Sequence, residues 1–301
     1  VQVAEYKKEN GLPVFDSSRE KQVIERCVRF IKDENLRSYY VQFIQDLMDI
    51  SKKYQHKLLE GAKIAYCGIE GAFANIAAKK IFPDGELIPY SDFESAYASV
   101  ENGECDVAVL PIENSFAGEV GQVSDLMFTG KLYVNGIYAL PVTQNLVALK
   151  GTSIKDIRLV VSHQQALDQC DKFIKEHGWE RKSAANTAMA AKQVADNADR
   201  TVAAIVSSET AELYGLEVLA PNINENSSNA TKFAVFSKVK KELLNTEDYS
   251  SFIMMFVVKN ESGSLVKVLD IIGEYGYNLS GIRSRPLKNS QWEYYFYIEV
   301  E

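Results

Sequence analysis

Five polar clusters stand at the ends of apolar runs, and their residue types suit the handling of a small anionic molecule. Glu113-Asn114-Ser115 follows the run Val107-Ala108-Val109-Leu110 within LPIENSFAGEV. Gly68–Asn75, Ser162-His163-Gln164-Gln165 and Asn229-Ala230-Thr231-Lys232 occupy similar junctions, and Asn186-Thr187 opens a helix. Helix N-termini expose N–H groups and positive partial charge, so they receive carboxylates well. In open α/β sheets ligands bind beyond the carboxyl ends of the strands. Each cluster alone reads as a helix cap, but several in one sheet point to a ligand cleft between two lobes. No Ser-His-Asp triad or phosphate loop is present, and Gly68-Ile69-Glu70-Gly71 lacks dinucleotide spacing. His56, His163 and His177 have no metal-ligand spacing, so no metal site is expected.

The elements that must position these clusters alternate from Lys63 onward. Strands are predicted at 64–67, 86–90, 107–110, 157–161 and 202–206, with the third ending at Pro111. Helices are predicted at 73–81, after Ser91-Asp92-Phe93-Glu94, at 164–176, near 187–195 and at 207–215. Repeated βα units of this kind mean a mostly parallel, doubly wound sheet. Pro141 and Gly151 bracket a change of lobe, and Lys232–Val239 reads as a strand returning to the first lobe.

Before Gly61 the pattern is helical. Ser17 with Glu20 fits a capping box, and Ile24, Cys27, Val28 and Ile31 follow at helical spacing. A second helix spans about 36–59, with Tyr40, Phe43, Ile44 and Leu47 on one face. Residues 1–10 read as the tail of an earlier helix ending at Asn10-Gly11. So few helices cannot bury their apolar stripes alone, so further helix or a second subunit must complete the bundle. The chain opens at Val1 without an initiator Met, which points to sequence ahead of it. After the polar linker 240–249, strands at 252–258, 279–284 and 292–300 and a helix at 264–275 give βαββ, part of a ferredoxin-like unit.

Composition narrows the class. The 301 residues are 46% hydrophobic, enough for two or three domains with proper cores. A net charge of −8 argues against nucleic acid and against an anionic membrane surface. No transmembrane span or signal peptide is legible. Cys27, Cys67, Cys105 and Cys170 are far apart and read as reduced core residues of a cytoplasmic protein.

Residues 63–239 resemble the prephenate dehydratase family. The family's G-P-x-G-T-[YF]-S-H stands here as Gly68-Ile69-Glu70-Gly71-Ala72-Phe73-Ala74-Asn75, and its P-I-E-N-S segment as Pro111 to Ser115. Its S-H-P-Q-A-x-x-Q-C reads Ser162 to Cys170, its helix start Asn186-Thr187-Ala188, and its T-R-F Thr231-Lys232-Phe233. Ala72, Ala74, Asn75 and Lys232 depart from the family's threonine, serine, histidine and arginine, and the last change loses a bidentate fork. The resemblance implies Thr231 as proton donor, with His163 or Glu113 as alternatives. It implies Glu113, Asn114 and Gln165 as positioning groups, and Ser115, Asn186, Thr187, Lys232 and Phe233 as substrate-binding. No cofactor is implied.

The helical section resembles an all-helical chorismate mutase through Pro13-Val14-Phe15-Asp16-Ser17-Ser18-Arg19-Glu20. That resemblance implies Lys7 and Gln55 on the ether oxygen and Glu20 on the ring hydroxyl. Asp16, Arg19 and Ser51 complete its substrate set, and arginines would precede Val1. The last section resembles an ACT regulatory domain, with Gly263, Ser264 and Leu265 at the helix start and Ile282-Arg283-Ser284-Arg285-Pro286 for I-E-S-R-P. These residues are the implied phenylalanine site at an interface between two such domains, with Leu265 and Leu279 lining it.

The fold expected is therefore multidomain. An incomplete all-α bundle spans 1–60, and a two-lobed, periplasmic-binding-protein-like α/β domain spans 61–240. Its lobes are about 61–140 with 219–240, and 141–218. An incomplete α+β ACT domain spans 250–301. The resemblance implies a cytoplasmic homodimer or homotetramer that converts chorismate to prephenate and prephenate to phenylpyruvate, under phenylalanine feedback. The alternatives are a non-catalytic aromatic-ligand-binding protein, or a dehydratase whose helices only dimerise.

Overall fold

The computed structural model describes residues 6–7, 17–226, 228–240, 251–288 and 293–300; ahead of the sheets Tyr6 and Lys7 are helical, and two longer helices follow. Helix α1 is Ser17–Val28 and α2 is Glu34–Glu60, the latter capped by Asp33, whose side chain accepts from Asn35 N. Ser17 is helical, and Asp16 lies outside the described residues. Glu20 meets Lys52 of α2 at 3.0 Å. The apolar face expected on α2 is divided: Ile44 is buried, whereas Phe43 and Leu47 are 59% and 52% exposed. A single partner helix covers only a narrow stripe of a helix surface.

The first lobe is one sheet. Strands β1 (Lys63–Cys67), β2 (Glu86–Tyr90), β3 (Val107–Asn114), β5 (Tyr133–Pro141) and β11 (Ala230–Ser237) run in the order β2-β1-β3-β11-β5, with β4 (Gly118–Glu119) against β3. Side chains alternate between two buried faces, as central strands covered by helices require. Ile64, Tyr66 and Val109 pack under α3 (Phe73–Ile81), while Ala65, Ala108 and Leu110 pack with α4 (Phe93–Asn102) and α5 (Gly121–Thr129). Strand β3 does not stop at Pro111 but continues to Asn114. Pro111 sits opposite Phe233, where the register shifts between Lys232 and Phe233. A bulge there accommodates a residue that has no N–H to give.

The second lobe has strands β6 (Asn145–Ala148), β7 (Leu159–His163), β8 (Glu180–Ala184), β9 (Val202–Val206) and β10 (Glu217–Ala220), ordered β10-β6-β9-β7-β8. Helices α6 (Gln164–Gln169), α7 (Asp171–His177), α8 (Thr187–Asn197) and α9 (Ser208–Leu213) connect them. The strand expected at 157–161 begins at Leu159, because a 3-10 turn at Ile154–Asp156, capped by Ser153, precedes it. The helix expected at 164–176 is two helices that break at Cys170. That cysteine is buried, and burial pushes its thiol pKa up to about 12.

Each lobe is mixed rather than mostly parallel. Three parallel strands form each core, β2-β1-β3 and β9-β7-β8, and the added strands run antiparallel. The added strands adjoin the direct crossings at 142–144 and 221–229, which carry no helix to reverse the chain. The two crossings bond each other: Val142 N donates to Asn229 O, and Ile223 N to Gln144 O, both at 2.8 Å. Across the lobes, Thr210 Oγ1 donates to Gly71 O at 2.6 Å and Tyr214 OH to Glu70 O at 3.2 Å. Lys80 and Glu209 form an ion pair at 2.9 Å.

The chain divides into two compact units at Lys240. In the second, β12 (Phe252–Val257), α10 (Ser264–Glu274), β13 (Leu279–Pro286) and β14 (Tyr294–Val300) form an antiparallel sheet in the order β12-β14-β13 with one helix. Trp292 and the linker 241–250 lie outside the described residues. Ile272, Ile298 and Val300 form its core with Met254, Phe256 and Leu279. Leu279 is partly buried against that core.

Gly71 has φ +84, and a Cβ there would stand 2.9 Å from Leu213 Cδ2 of the other lobe. Gly71→Val is expected to cost about 2–3 kcal/mol through backbone strain and overpacking. A lower urea midpoint at unchanged m is the measurement; an unaltered midpoint would exclude a tight lobe contact here.

Candidate functional site

The side-chain amide of Asn114, at the end of β3, organises the cleft. Its Oδ1 accepts from Phe116 N at 3.0 Å and Ala117 N at 2.9 Å. Backbone N–H groups only donate, so the amide can stand only one way round. Its Nδ2 then points to Asn229 Oδ1 at 3.0 Å, Ala230 O at 3.2 Å and Thr231 Oγ1 at 2.9 Å. Thr231 therefore accepts in this contact, and its hydroxyl hydrogen is not spent on Asn114. Gln165, in the first turn of α6 on the other lobe, donates from Nε2 to Asn114 Oδ1 at 3.0 Å. Six residues from three chain segments thus meet at one buried amide.

Strand pairing places the remaining groups. Thr231 is opposite Asn114 and Lys232 is opposite Glu113 across β3 and β11. Lys232 Nζ meets Glu113 Oε2 at 3.0 Å. Ser115 ties the return crossing down: its Oγ accepts from Ala230 N at 3.0 Å, and its own N donates to Ala230 O at 2.9 Å. His163 caps α6, with Nδ1 accepting from Gln165 N at 3.3 Å. It orients Gln165 in this geometry rather than touching Thr231. Asn186 caps α8, accepting from Met189 N at 2.8 Å, and Thr187 beside it is buried.

Phe233 is a correction to the substrate-binding set. It is 1% exposed within the first lobe's core, because it alternates with Ala234 along β11 and so shares the inward face of Val235. Asn75, in the first turn of α3, is also buried, and its Oδ1 accepts from Gly71 N at 3.1 Å. Burial pushes the phenol of Tyr66 up, and the Asn75 side chain pulls it back. Ala72 stands at the N-cap of α3 with no side-chain cap bond. Asn229 was legible only as part of its cluster. Its weight comes from its contact with Asn114, a residue 115 positions earlier in the chain.

In the helical segment, Gln55 Nε2 donates to Ser51 Oγ at 3.0 Å, while Gln55 Oε1 is buried without a hydrogen-bond partner among the described residues. Ser51 can donate as well as accept, so a half-turn of the amide keeps this bond and presents Nε2 instead. Glu20 pairs with Lys52. Lys7 is helical and partly buried, and Arg19 is exposed. Asp16 lies outside the described residues.

In the second unit, Gly263 has φ +82 at the N-cap of α10, next to Ser264 and Leu265, with open space where a Cβ would stand. Ser284, Arg285 and Pro286 pair with Phe296, Tyr295 and Tyr294. Arg283 lies over the Tyr297 ring at 5.2 Å and 3.8 Å from Glu299 Oε1. Tyr297 OH donates to the same oxygen at 3.1 Å. A carboxylate and an aromatic face thus receive the cation that replaces the glutamate of the I-E-S-R-P motif.

Comparison with known proteins places this geometry. A family model described as prephenate dehydratase matches residues 64–241, and one described as chorismate mutase type II matches 1–56. A bifunctional chorismate mutase/prephenate dehydratase of Buchnera aphidicola is 31% identical, over 99% of this chain and 81% of its own length. Among solved structures, prephenate dehydratase of Arthrobacter aurescens in complex with L-Phe is 30% identical with a TM-score of 0.71, covering 79% of this chain and 80% of that one. The quorum quenching acylase GqqA is 29% identical with a TM-score of 0.72, covering 79% of this chain and 86% of that one.

Asn114→Ala leaves Phe116 N, Ala117 N and Ala230 O without this side-chain partner. A loss of about 2–4 kcal/mol is expected, on the scale of orphaned buried backbone groups. Chemical denaturation reads it; a loss under about 0.5 kcal/mol would show that water replaces the amide.

Proposed function

Because the chain belongs to the prephenate dehydratase family, we propose that the cluster around Asn114 is where prephenate is held and aromatised. The chain converts chorismate to prephenate and prephenate to phenylpyruvate, two steps of phenylalanine biosynthesis. The single observation that carries the site assignment is the fixed Asn114 amide, which leaves the Thr231 hydrogen unspent beside the lobe-spanning Gln165.

The dehydratase step loses carbon dioxide and water together. The ring C–CO₂ bond breaks, its electron pair enters the ring, and the ring hydroxyl leaves with a proton. Thr231 donates that proton, and a weakly acidic hydroxyl suffices because aromatisation drives departure of the leaving group. Asn114 holds the Thr231 oxygen as an acceptor and so aims its hydrogen away from itself. Lys232, on Glu113, offers a single-point contact for a substrate carboxylate. Gln165 closes the site from the second lobe, while Ser115, Asn186 and Thr187 border it.

The mutase step is a rearrangement without proton transfer, so its residues hold the folded substrate and stabilise charge on the ether oxygen. Gln55, with its amide turned, and Lys7 serve that oxygen; Glu20 serves the hydroxyl. Tyr39, Phe43, Leu47, Ile50 and Tyr54 are all more than half exposed along α2. This stripe supports a homodimer in which a second copy completes the bundle.

The βαββ unit, with its glycine N-cap and Arg285-Pro286 strand end, supports an ACT domain that binds phenylalanine. The L-Phe complex of the Arthrobacter relative points the same way. Four cysteines without disulfides are in keeping with a cytoplasmic location.

Thr231→Ala is expected to lower kcat for prephenate about 10²-fold, the scale of a lost proton donor. Phenylpyruvate formation followed by alkaline absorbance is the assay; wild-type turnover in a folded variant would remove Thr231 from the mechanism. In calorimetry, phenylalanine should bind the wild type, and Gly263→Val should weaken it at least tenfold, because valine at positive φ distorts the helix start. Equal binding by both proteins would sink the pocket assignment.

A further inference from the structure

Asn229 is 3% exposed, and its two amide atoms have opposite fates. Its Oδ1 accepts from Asn114 Nδ2 at 3.0 Å and from Ser115 Oγ at 3.4 Å. Its Nδ2 is buried with no hydrogen-bond partner among the described residues. The amide cannot simply be turned round, because Asn114 Nδ2 is itself fixed as a donor and requires an acceptor opposite. An unmet buried donor is costly, and such groups in folded proteins call for an explanation.

We propose that Asn229 Nδ2 is a substrate-binding donor, held for a carboxylate oxygen of the substrate. Three observations place it there. It adjoins Asn114 and lies two residues from Thr231, so a ligand on that hydroxyl is within reach of it. It closes the return crossing between lobes, where its own carbonyl accepts from Val142 N at 2.8 Å. Its partner Asn114 is also where the lobes meet, through the Gln165–Asn114 bond, so the amide adjoins the lobe junction. A neutral N–H to a carboxylate makes a charge-assisted bond without burying a second cation beside Lys232. This inference rests on the dehydratase reading for the identity of the carboxylate.

The discriminating variant is Asn229→Asp in the full chain. Aspartate keeps an acceptor for Asn114 and Ser115 but removes the donor and repels a carboxylate. The expected result is a KM for prephenate raised about ten- to hundredfold with kcat within about threefold of wild type, the scale of one charged hydrogen bond. Lower pH should narrow the KM gap, as a protonated aspartic acid regains a donor. Asn229→Ala, uncharged, guards against a variant that fails to fold, and should show the same KM rise together with loss of the prephenate-induced thermal shift. A KM within twofold of wild type in either folded variant would overturn the inference, and would leave Asn229 only the orientation of Asn114. A wild type that forms no phenylpyruvate overturns the dehydratase reading instead. The thermal shift with prephenate then decides the inference by itself: a shift equal in wild type and Asn229→Ala overturns it.

Discussion

A single side-chain amide connects the parts on which the cleft depends. Asn114 ends a strand of the first lobe, bonds the return crossing through Asn229 and Ala230, and meets Gln165 of the second lobe. Its orientation is set by backbone groups that can only donate or only accept. Two consequences follow from that constraint. Thr231 keeps its hydrogen for another partner, and Asn229 keeps its Nδ2 donor. An amide serves this purpose better than a carboxylate, which would offer only acceptors and draw the threonine proton to itself.

The two lobes give the amide its precision. Each is a parallel three-strand core buttressed by antiparallel strands, and the crossings between them are bonded to each other. Alanines at 65, 108, 203 and 204 are fully buried and let helices lie close on both faces of the sheets. Contacts at Gly71 and Glu70 hold α9 against the first lobe on one side of the cleft, and Gln165 spans it on the other. Groups from opposite lobes can therefore converge on one substrate, and relative lobe movement changes their spacing.

The flanking segments pose different physical problems. Helix α2 carries an aromatic and aliphatic stripe that α1 does not cover, so that face is exposed. The C-terminal unit has its own small core, and its distinctive change is electrostatic. Arg283 replaces a glutamate of the resembled motif, and Glu299 and Tyr297 on the neighbouring strand receive the cation. A charge reversal on one strand is tolerated when the next strand supplies the complementary group.

Local chemistry made much of this legible. Helix 73–81 and strands 86–90 and 202–206 follow from apolar spacing, and the caps Asp92 and Asn186 from short polar side chains before apolar runs. The polar clusters likewise announced a cleft. Other features depend on partners distant in sequence. Strand β3 passes Pro111 because an extra residue, Ile112, bulges β3 beside the missing N–H, and regular alternation along β11 buries Phe233. The helix expected through Cys170 breaks there, and the stripe on α2 remains exposed because α1 does not cover it. Thus the sequence by itself determined which elements form and which residue types gather at their ends, since caps and periodicity act over a few residues. Only the tertiary structure decided that Asn114 meets Asn229, Thr231 and Gln165, because a side-chain amide can be oriented only by donors and acceptors that folding brings to it.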